Sequence, residues 1–394
     1  MMYHNRMAEF LYVHVPFCLK KCAYCDFYSV SASEPAYAAY VYALKREFLS
    51  RRGEVLELKG IYIGGGTPTA MSASLLTETI KCVYENFDVA PDVEFTVEAN
   101  PETLDDEKLR ALRASGVNRL SIGVQSFLDS ELCALGRVHD AKKALSAARA
   151  ARKIFDNLSL DLIYGIPGSN AESWACTLDT ALSLDPAHIS AYELTPEAAT
   201  PLGRMVESGE VTMPNEDLVV SMYDTAVERL SRAGYDRYEI SNFARPGREC
   251  VHNVNYWRRG RYLGAGAGAH SFIAGRRFWN VPDIQKYIAA AEALDGAAEG
   301  AAWTAAEGVT EVDAREAFSE SVFLGLRTRE GVLIEGAPPH WKDSLLDMER
   351  AGFLDIRGNT LRLTHRGILV SNSVIAEVLA RLERRLERGL TPLI

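Results

Sequence analysis

A repeated alternation of strand and helix patterns constrains the fold of this chain more than any other feature. Short apolar runs rich in β-branched and aromatic residues alternate with stretches whose apolar residues recur at helical spacing. The strand runs are LYVHV (11–15), GIYIG (60–64), VEFTVEA (93–99), RLSIGVQ (119–125), LSLDLIYG (158–165) and HISAYEL (188–194). Strands and helices that alternate at intervals of roughly 25 to 50 residues form right-handed βαβ units and a parallel sheet. We therefore predict an α/β fold that closes partly into a TIM-like barrel. A doubly wound sheet is the alternative, but no dinucleotide fingerprint opens the first unit.

The last third of the sequence has a different character and predicts a smaller C-terminal domain. An Ala/Gly-rich stretch at 289–308 is typical of a linker or a loosely packed helix. AFSESVFLGLR (317–327) then predicts a helix, and the sequence from 352 to 372 predicts a hairpin with its turn at RGNT (357–360). A final helix carries one apolar face, made by Ile375, Val378, Leu379, Leu382 and Leu386. Its other face, with Arg381, Arg384, Arg385, Arg388, Glu383 and Glu387, is interpreted as a solvated ion-pair face.

These patterns divide the chain into three parts. We predict a barrel at 1–230, a barrel-flanking region at 231–308 and an α+β, winged-helix-like domain at 309–394. Nucleic-acid binding does not follow from the winged-helix pattern, because that fold also serves as a structural cap.

Composition excludes several classes of protein. The 394 residues carry a net charge of −10, which argues against a nucleic-acid partner held by bulk electrostatics. No apolar run approaches the roughly 20 residues that span a bilayer. The N-terminal MMYHNRMAEFLYVHVPF lacks the features of a signal peptide. Seven irregularly spaced cysteines do not form a disulfide framework, so we expect a reducing, cytoplasmic location.

Cys18, Cys22 and Cys25 lie within eight positions of one another, directly after the first predicted strand. Position 27, where a fourth thiol would fit the spacing, is Phe27. Structural zinc usually takes four ligands, and His14 is the residue available to complete such a set. Buried structural cysteines are a further alternative. A [4Fe–4S] cluster is the preferred interpretation, because three thiolates hold three irons and leave the fourth iron open to a small molecule.

Polar residues and glycines follow the other predicted strands, at the edge where a parallel barrel carries its chemistry. The second strand ends in GGGTPT (64–69), the third at Glu98 and the fourth at Gln125, while Asp161 lies in the fifth. S-adenosylmethionine (SAM) suits this edge, since its amine and carboxylate would bind the open iron. The glycines permit close backbone approach to its methionyl end, Tyr24 offers an aromatic face to adenine, and carboxylates can take the ribose hydroxyls. A tight turn and local hydrogen bonds are the structural alternatives.

The motifs together resemble the radical SAM superfamily, and more closely its oxygen-independent coproporphyrinogen III oxidase-like group. The resembling segments are YVHVPFCLKKCAYCDF, IGGGTPT, EANPET, SIGVQSF, LGRVHD, DLIYGIPG and YEISNFARPGRECVHNVNYWRRGRYLGAGAGAH. They cover about residues 10 to 275 in order. The resemblance implies a partial (β/α)6 barrel, one [4Fe–4S] cluster held by the three cysteines, and SAM. By motif, the SAM region would comprise Tyr12, Tyr24, Gly65, Gly66, Thr67, Glu98, Gln125, Arg137 and Asp161.

Within this group the sequence is more similar to the HemW-type heme chaperones than to the oxidases. The oxidase pattern has a fourth cysteine where this chain has Phe27, and an N-terminal extension that closes over the porphyrin. Because the first strand begins near residue 11, we expect no such lid. The resemblance therefore implies heme binding and delivery to an unknown acceptor, a respiratory protein being one candidate, with an unknown electron donor. Radical chemistry on a tetrapyrrole and a zinc-stabilised binding module are the alternatives, and whether the chain is an enzyme stays open.

His252 is the predicted heme ligand, since neutral imidazole is a common axial ligand of heme iron. It stands in CVHNVNYW beside Tyr256 and Trp257, whose rings could face a porphyrin. Cys250 is an alternative thiolate ligand. His270 follows the GAGAGA run, which we interpret as a turn that allows close backbone packing near the barrel mouth.

Overall fold

The structure is a computed structural model that describes residues 7–295, 301–334 and 341–386, with side chains up to residue 382. The first part of the chain alternates strands and helices as the sequence predicts. The strands are β1 (Ala8–Val15), β2 (Val55–Gly65), β3 (Asp88–Ala99), β4 (Arg119–Gln125), β5 (Asn157–Tyr164) and β6 (His188–Glu193). The helices are α1 (Glu34–Arg51), α2 (Ala73–Asn86), α3 (Asp106–Ala114), α4 (Asp129–Ala134), α5 (Ala141–Arg152), α6 (Ala171–Ser183), α7 (Pro201–Glu207) and α8 (Glu216–Arg232).

Shorter elements make up the rest of the chain. The strands are β7 (Asp236–Arg237), β8 (Asn242–Ala244), β9 (Leu263–Ala265), β10 (His270–Ile273), β11 (Arg276–Asn280), β12 (Ala306–Glu311), β13 (Val332–Leu333), β14 (Leu354–Arg357) and β15 (Thr360–Leu363). The helices are α9 (Val251–Trp257), α10 (Ile284–Glu292), α11 (Ala314–Leu326), α12 (Leu346–Arg350), α13 (His365–Leu369) and α14 (Ser371–Leu386). No helix in the described ranges is both long enough and apolar enough to cross a bilayer.

The central sheet has the order β7-β8-β6-β5-β4-β3-β2-β1-β9. Strands β1 to β6 lie side by side in chain order, and each pairs in parallel with the next. Consecutive strands joined by helices and paired in parallel are the signature of a partial (β/α)6 barrel, which confirms the predicted fold class. All the predicted carboxyl strand ends therefore lie at one edge of the sheet.

Alternation along the strands separates an apolar face from a polar one. Residues such as Leu11, Val13, Ile61, Ile63, Val97 and Leu160 are fully buried. The residues between them are polar, and their side chains contact one another across the strands: the Tyr62 hydroxyl donates to Glu98, and the Ser121 and Ser190 hydroxyls donate to Asp161. Fully buried parallel strands are usually apolar on both faces. A polar second face therefore indicates an interior built around something polar.

The glycine run GAGAGA before His270 brings two strands together at the edge of the barrel. Strand β9 pairs in parallel with β1, and Gly266 has φ +102°. A Cβ at Gly266 would lie 2.4 Å from the His14 carbonyl oxygen, so a side chain is excluded there. The buried Glu47 carboxylate accepts from the Gly266 amide at 2.8 Å and from Tyr287 at 2.5 Å. The close backbone approach predicted for this run is confirmed.

The chain forms two compact units. The larger comprises Met1–Asp236, Phe243–His252 and Arg261–Thr310, and the smaller comprises Arg237–Asn242, Asn253–Gly260 and Glu311–Ile394. The three-part division at residues 230 and 308 stays a prediction. Within the Ala/Gly-rich stretch, α10 ends at Glu292, β12 begins at Ala306, and residues 296–300 lie outside the described part.

The smaller unit combines helices with the antiparallel sheet β13-β15-β14. β14 and β15 pair from Leu354↔Leu363 to Arg357↔Thr360, which confirms the predicted hairpin and its turn. The hairpin ends before the predicted residue 372, because the Thr364 side chain caps α13 directly after β15. Its core contains Ile375, Val378 and Leu382 of α14, with Leu379 packed against them. On the other face of α14, Arg381 forms ion pairs with Glu377 and Asp347. The side chains of Glu383, Arg384, Arg385, Leu386, Glu387 and Arg388 lie outside the described part.

Candidate cofactor site

The three cysteines lie on the loop between β1 and α1, and both ends of this loop are anchored. The Cys18 amide donates to the Val30 carbonyl at 3.0 Å, and the Val30 amide donates to the Pro16 carbonyl at 2.8 Å. In the middle, the Ala23 amide donates to the Leu135 carbonyl at 3.2 Å. All three cysteines are free thiols and half-buried. The loop therefore holds its sulfurs in place while leaving them accessible.

The cysteines lie close enough together to influence the pKa of Cys25, and two of their sulfurs face side-chain hydrogen-bond donors. Burial raises the pKa of the Cys25 thiol, and the negative charges of Cys22 and Cys18 raise it further, against lowering contributions from a hydrogen bond to the Phe27 backbone and from the Lys21 charge. The Thr67 hydroxyl lies 3.5 Å from the Cys18 sulfur, and Nη1 of Arg137 lies 3.4 Å from the Cys22 sulfur. These contacts bring the predicted cluster ligands and two predicted SAM residues to one place.

The glycines at the end of β2 and directly after it are required by close packing within the chain. Gly65 has φ +112°, and a Cβ at Gly66 would lie 2.6 Å from the Phe17 carbonyl oxygen. The Gly66 and Thr67 amides donate to the Val15 and Phe17 carbonyls at 2.9 Å and 2.6 Å. This loop therefore packs directly against the chain that leads into the cysteines. A tight turn is the structural alternative for GGGTPT, and the close packing of this loop is compatible with a cofactor role as well.

Glu98 lies at the end of β3 with both carboxylate oxygens engaged. The Tyr62 hydroxyl donates to Oε1 at 2.6 Å and the Gly65 amide donates to Oε2 at 3.0 Å. A Cβ at Gly64 would lie 2.7 Å from Oε2, so this glycine makes room for the carboxylate. Burial raises the pKa of Glu98, although both hydrogen bonds favour its ionised form. The side chain is half-buried, so a ligand can reach it.

Asp161 occupies the same polar face two strands away. The Ser190 hydroxyl donates to Oδ1 at 2.7 Å, and the Ser121 hydroxyl lies 3.0 Å from Oδ2. Burial raises the pKa of Asp161, against lowering contributions from the Ser190 hydroxyl and the Arg119 guanidinium. Asp161 is also half-buried. The serines orient it, and none of them had been predicted as a site residue.

The remaining predicted SAM residues surround this face. Gln125 ends β4 with φ +67°, an uncommon conformation for a residue other than glycine and one that recurs at functional sites. The Tyr12 hydroxyl lies 3.0 Å from Nδ1 of His14. Tyr24 packs beside the small apolar cluster that contains Leu135 and Ile166. Burial raises the pKa of Tyr24, against a lowering contribution from the Arg137 charge.

His14 and Tyr62 also lie at this site; the sequence named His14 only as a possible fourth zinc ligand, and it did not name Tyr62. Nε2 of His14 lies 3.2 Å from the Tyr28 carbonyl oxygen, and a Cβ at Gly65 would lie 2.3 Å from its Nδ1. His14 thus touches both the cysteine loop and the glycine-rich loop. The signal that could have found both residues is alternation, since each lies two positions from a predicted site residue in its own strand.

His252, the predicted heme ligand, lies deep in the larger unit. It is 1% exposed, and its ring centroid lies 5.2 Å from that of Tyr62, 5.9 Å from Phe10 and 6.2 Å from Tyr12. Burial lowers the pKa of His252 to about 3, with a further contribution from the Arg119 charge. Cys250 is fully buried as well. Of the neighbouring aromatic residues, Tyr256 and Trp257 belong to the smaller unit.

Comparison with known proteins decides the family. The sequence model of the radical SAM superfamily matches residues 12–181. The chain is 36% identical over 375 residues to heme chaperone HemW of Mycobacterium tuberculosis (strain ATCC 25618 / H37Rv), covering 94% of each sequence. It is 37% identical over 385 residues to heme chaperone HemW of Bacillus subtilis (strain 168), covering 94% of this chain and 99% of that one. The chain belongs to the HemW family. The resemblance to radical SAM proteins and to their HemW type is thereby confirmed.

A solved structure supports the fold of this HemW-family chain. Coproporphyrinogen III oxidase (HemN) from Escherichia coli, described as a radical SAM enzyme, matches with a TM-score of 0.79 over 96% of this chain and 90% of that one. The sequence identity is 22%, so the likeness establishes the fold alone.

Membership of the HemW family and of the radical SAM superfamily implies a [4Fe–4S] cluster and SAM, and the residues present fit both. Three free thiols share one anchored loop, and two of them face side-chain donors. Within the described ranges, no three His, Cys, Asp or Glu side chains converge on the position of a single metal ion. In a cluster each thiolate binds a different iron, so convergence is not needed. Nε of Arg137 is buried without a hydrogen-bond partner among the described residues, which leaves a donor for a bound group.

Proposed function

We propose that this HemW-family chain binds heme and delivers it to an acceptor protein, and that it carries a [4Fe–4S] cluster and SAM. The observation that carries the proposal is the similarity to curated heme chaperones over 94% of the chain. Delivery requires an acceptor protein, and reduction of the cluster requires an electron donor. We place the protein in the cytoplasm, in keeping with seven cysteines that are all free thiols.

Cys18, Cys22 and Cys25 would hold the cluster. Bound there, a [4Fe–4S] cluster with one open iron can bind the amine and carboxylate of SAM and supply one electron. For SAM itself we propose the half-buried polar face of the barrel. Glu98 and Asp161 are held by backbone and side-chain donors, and these carboxylates would accept hydroxyl groups of the ligand.

The other proposed SAM contacts come from residues at the same edge. Tyr24 would stack on adenine. Gly65, Gly66 and Thr67 would border the methionyl group through close backbone approach, since their own amides already donate to Glu98, Val15 and Phe17. Tyr12, Gln125 and Arg137 complete the proposed SAM region, and the buried Nε of Arg137 is its clearest free donor.

His252 remains the proposed heme ligand, provided that a conformational change exposes its imidazole. At 1% exposure its imidazole lies among aromatic rings, where a heme iron has no path to it. Coordination would therefore require the start of α9 to leave its packing position. A shift of that kind costs free energy, which the heme–imidazole bond would have to offset.

Heme titration and transfer test the proposal. Protein purified and reconstituted without oxygen is analysed for iron, sulfide and SAM binding, then titrated with hemin and mixed with apomyoglobin as a model acceptor. We expect a cluster, a saturable heme spectrum and transfer of heme to apomyoglobin. The variant Cys22→Ala should lose the cluster. Cys82→Ala is its matched control, because Cys82 is buried on α2, away from the loop. Absence of saturable heme binding in cluster-loaded protein would refute the chaperone function.

A second assay separates a chaperone from an enzyme of the same fold. Reduced, cluster-loaded protein is incubated with SAM and coproporphyrinogen III. We expect no protoporphyrinogen IX and no carbon dioxide. Their formation would replace the chaperone proposal with radical chemistry on a tetrapyrrole, whereas stoichiometric zinc in place of iron and sulfide would favour a zinc-stabilised binding module.

A further inference from the structure

A chain of hydrogen bonds joins two of the three cysteines through side chains from different loops. The Thr67 hydroxyl lies 3.5 Å from the Cys18 sulfur, and Nδ2 of Asn100 lies 2.8 Å from the Thr67 oxygen. Oδ1 of Asn100 lies 2.7 Å from Nη2 of Arg137, whose Nη1 is 3.4 Å from the Cys22 sulfur. Asn100 is therefore the one side chain in this chain of bonds that contacts both donors to sulfur.

The chemistry of these groups fixes the direction of every bond. A guanidinium only donates, so Arg137 requires the oxygen of the Asn100 amide to face it. The amide nitrogen must then face Thr67, where it donates to the hydroxyl oxygen. A hydroxyl has a single proton, and with its oxygen accepting from Asn100 that proton is directed at the Cys18 sulfur. Both ends of the chain of bonds therefore donate to a cysteine sulfur.

The surrounding backbone holds Asn100 in this orientation. The backbone carbonyl of Asn100 accepts from the backbone amide and the hydroxyl of Thr103, at 3.0 Å and 2.8 Å. A Cβ at Gly123 would lie 2.8 Å from Oδ1 of Asn100, so this glycine leaves space for the amide. The Gly123 carbonyl also accepts from Nη2 of Arg137 at 2.8 Å. Asn100 and Arg137 are thus both fixed against the end of β4.

We propose that Asn100 is a positioning residue that keeps two hydrogen bonds directed at the cluster thiolates and so sets the cluster's electron affinity. Hydrogen bonds to the sulfur ligands stabilise the more negative, reduced cluster and raise its reduction potential. Asn100 does not touch a cysteine itself; it acts through Thr67 and Arg137. The inference rests on the proposed function only in requiring the cluster.

The test measures the midpoint potential of the cluster by redox titration followed by EPR, in full-length protein reconstituted without oxygen. For Asn100→Ala we expect a lower potential, with about a tenfold smaller ratio of reduced to oxidised cluster at a fixed applied potential. For a one-electron couple this corresponds to about 59 mV. Asn86→Ala is the matched control, because the Asn86 side chain bonds the Cys82 carbonyl on α2, and it should keep the wild-type potential.

Further variants separate positioning from a general structural role. In Asn100→Asp the carboxylate accepts from both neighbours, which turns the Thr67 proton away from Cys18, so the potential should fall at least as far as in Asn100→Ala. Thr67→Val removes the donor to Cys18 and should lower the potential, whereas Thr67→Ser keeps the hydroxyl and should restore it. Loss of packing alone would not give this pattern.

Each outcome decides a different statement. An unchanged midpoint potential in Asn100→Ala, with wild-type iron and sulfide content, would overturn the inference and leave the proposed function intact. If Asn100→Ala fails to hold a cluster, equal potentials in Thr67→Val and Thr67→Ser overturn it instead. A wild-type protein that assembles no cluster would refute the proposed function itself, and this inference with it.

Discussion

The cysteine loop and the segment around His252 are the two regions that the sequence assigns to iron, and the structure treats them in opposite ways. The cysteines are free, half-buried and faced by two donors, Thr67 and Arg137. His252 is 1% exposed and packs against the rings of Tyr62 and Phe10. The loop presents ligands ready for a metal centre, whereas the imidazole serves as part of a core.

This difference shows that a ligand-like residue in a motif need not be accessible in the resting fold. Backbone hydrogen bonds hold the cysteine loop, so a cluster would bind there with little rearrangement. For His252, an iron would have to compete with contacts that also involve Tyr62, the residue that donates to Glu98. Heme binding through His252 would therefore disturb the proposed SAM site, and by linkage SAM would oppose it.

The largest expected effect concerns the cysteine loop. We expect Cys22→Ala to lose most of its iron and sulfide, because a cluster held by two thiolates has lost one of its three attachments. Iron and sulfide analysis after reconstitution measures this, with Cys82→Ala as the control. Wild-type iron content in Cys22→Ala would show that the loop is not the cluster site.

The second effect concerns His252 as a core residue. We expect His252→Ala to lower the free energy of unfolding by about 3 kcal/mol in heme-free protein, since a buried ring is replaced by a cavity. Urea denaturation measures it, and His365→Ala, a change at an exposed histidine, is the control. We also expect weaker SAM binding through the Tyr62–Glu98 contact. Wild-type stability with a large loss of heme affinity would instead indicate an accessible ligand.

The sequence predicts the fold well because parallel strands leave a strong apolar signal. Each of the six predicted runs lies within or overlaps one of the strands β1 to β6, and the apolar positions Tyr37, Tyr40, Val41, Leu44 and Phe48 are all buried on α1. The domain boundaries are harder to predict. The smaller unit takes residues 253–260 from the middle of the chain, and such exchange depends on tertiary packing that local patterns do not encode.

For the candidate site, sequence reasoning named residues that the structure places near one another, but not the bonds between them. Glu98 lies near the carboxyl end of β3, Asp161 lies within β5, and Arg137 lies in the loop after α4. Asn100 and Tyr62 were missed because each acts on another side chain, which only three-dimensional contact reveals. The burial of His252 likewise results from its contact in space with Phe10 of β1. The roles of all these residues in binding cofactors stay predictions.

The third effect is the pH dependence of stability that a buried histidine produces. Burial lowers the pKa of His188 well below its ordinary value, and the Arg119 charge lowers it further. Below about pH 6.5 the unfolded chain takes up a proton that folded His188 does not, so stability should fall as the pH falls. We expect His188→Gln to reduce this slope by about 1 kcal/mol per pH unit. Denaturation curves between pH 7.5 and 5.5 measure it, and identical slopes would contradict the prediction.

The smallest effect is expected at Phe27, where a fourth thiol would fit the cysteine spacing. Its side chain is 70% exposed, so Phe27→Cys should change the free energy of unfolding by less than about 0.5 kcal/mol. The new thiol should not enter the cluster, because an exposed position does not face the loop's half-buried sulfurs. SAM should therefore still bind the reconstituted protein and alter its EPR spectrum, as in the control Phe27→Ala. A Phe27→Cys protein with a full cluster and no response to SAM would show that position 27 reaches the open iron, and that the loop is less fixed than its anchoring bonds imply.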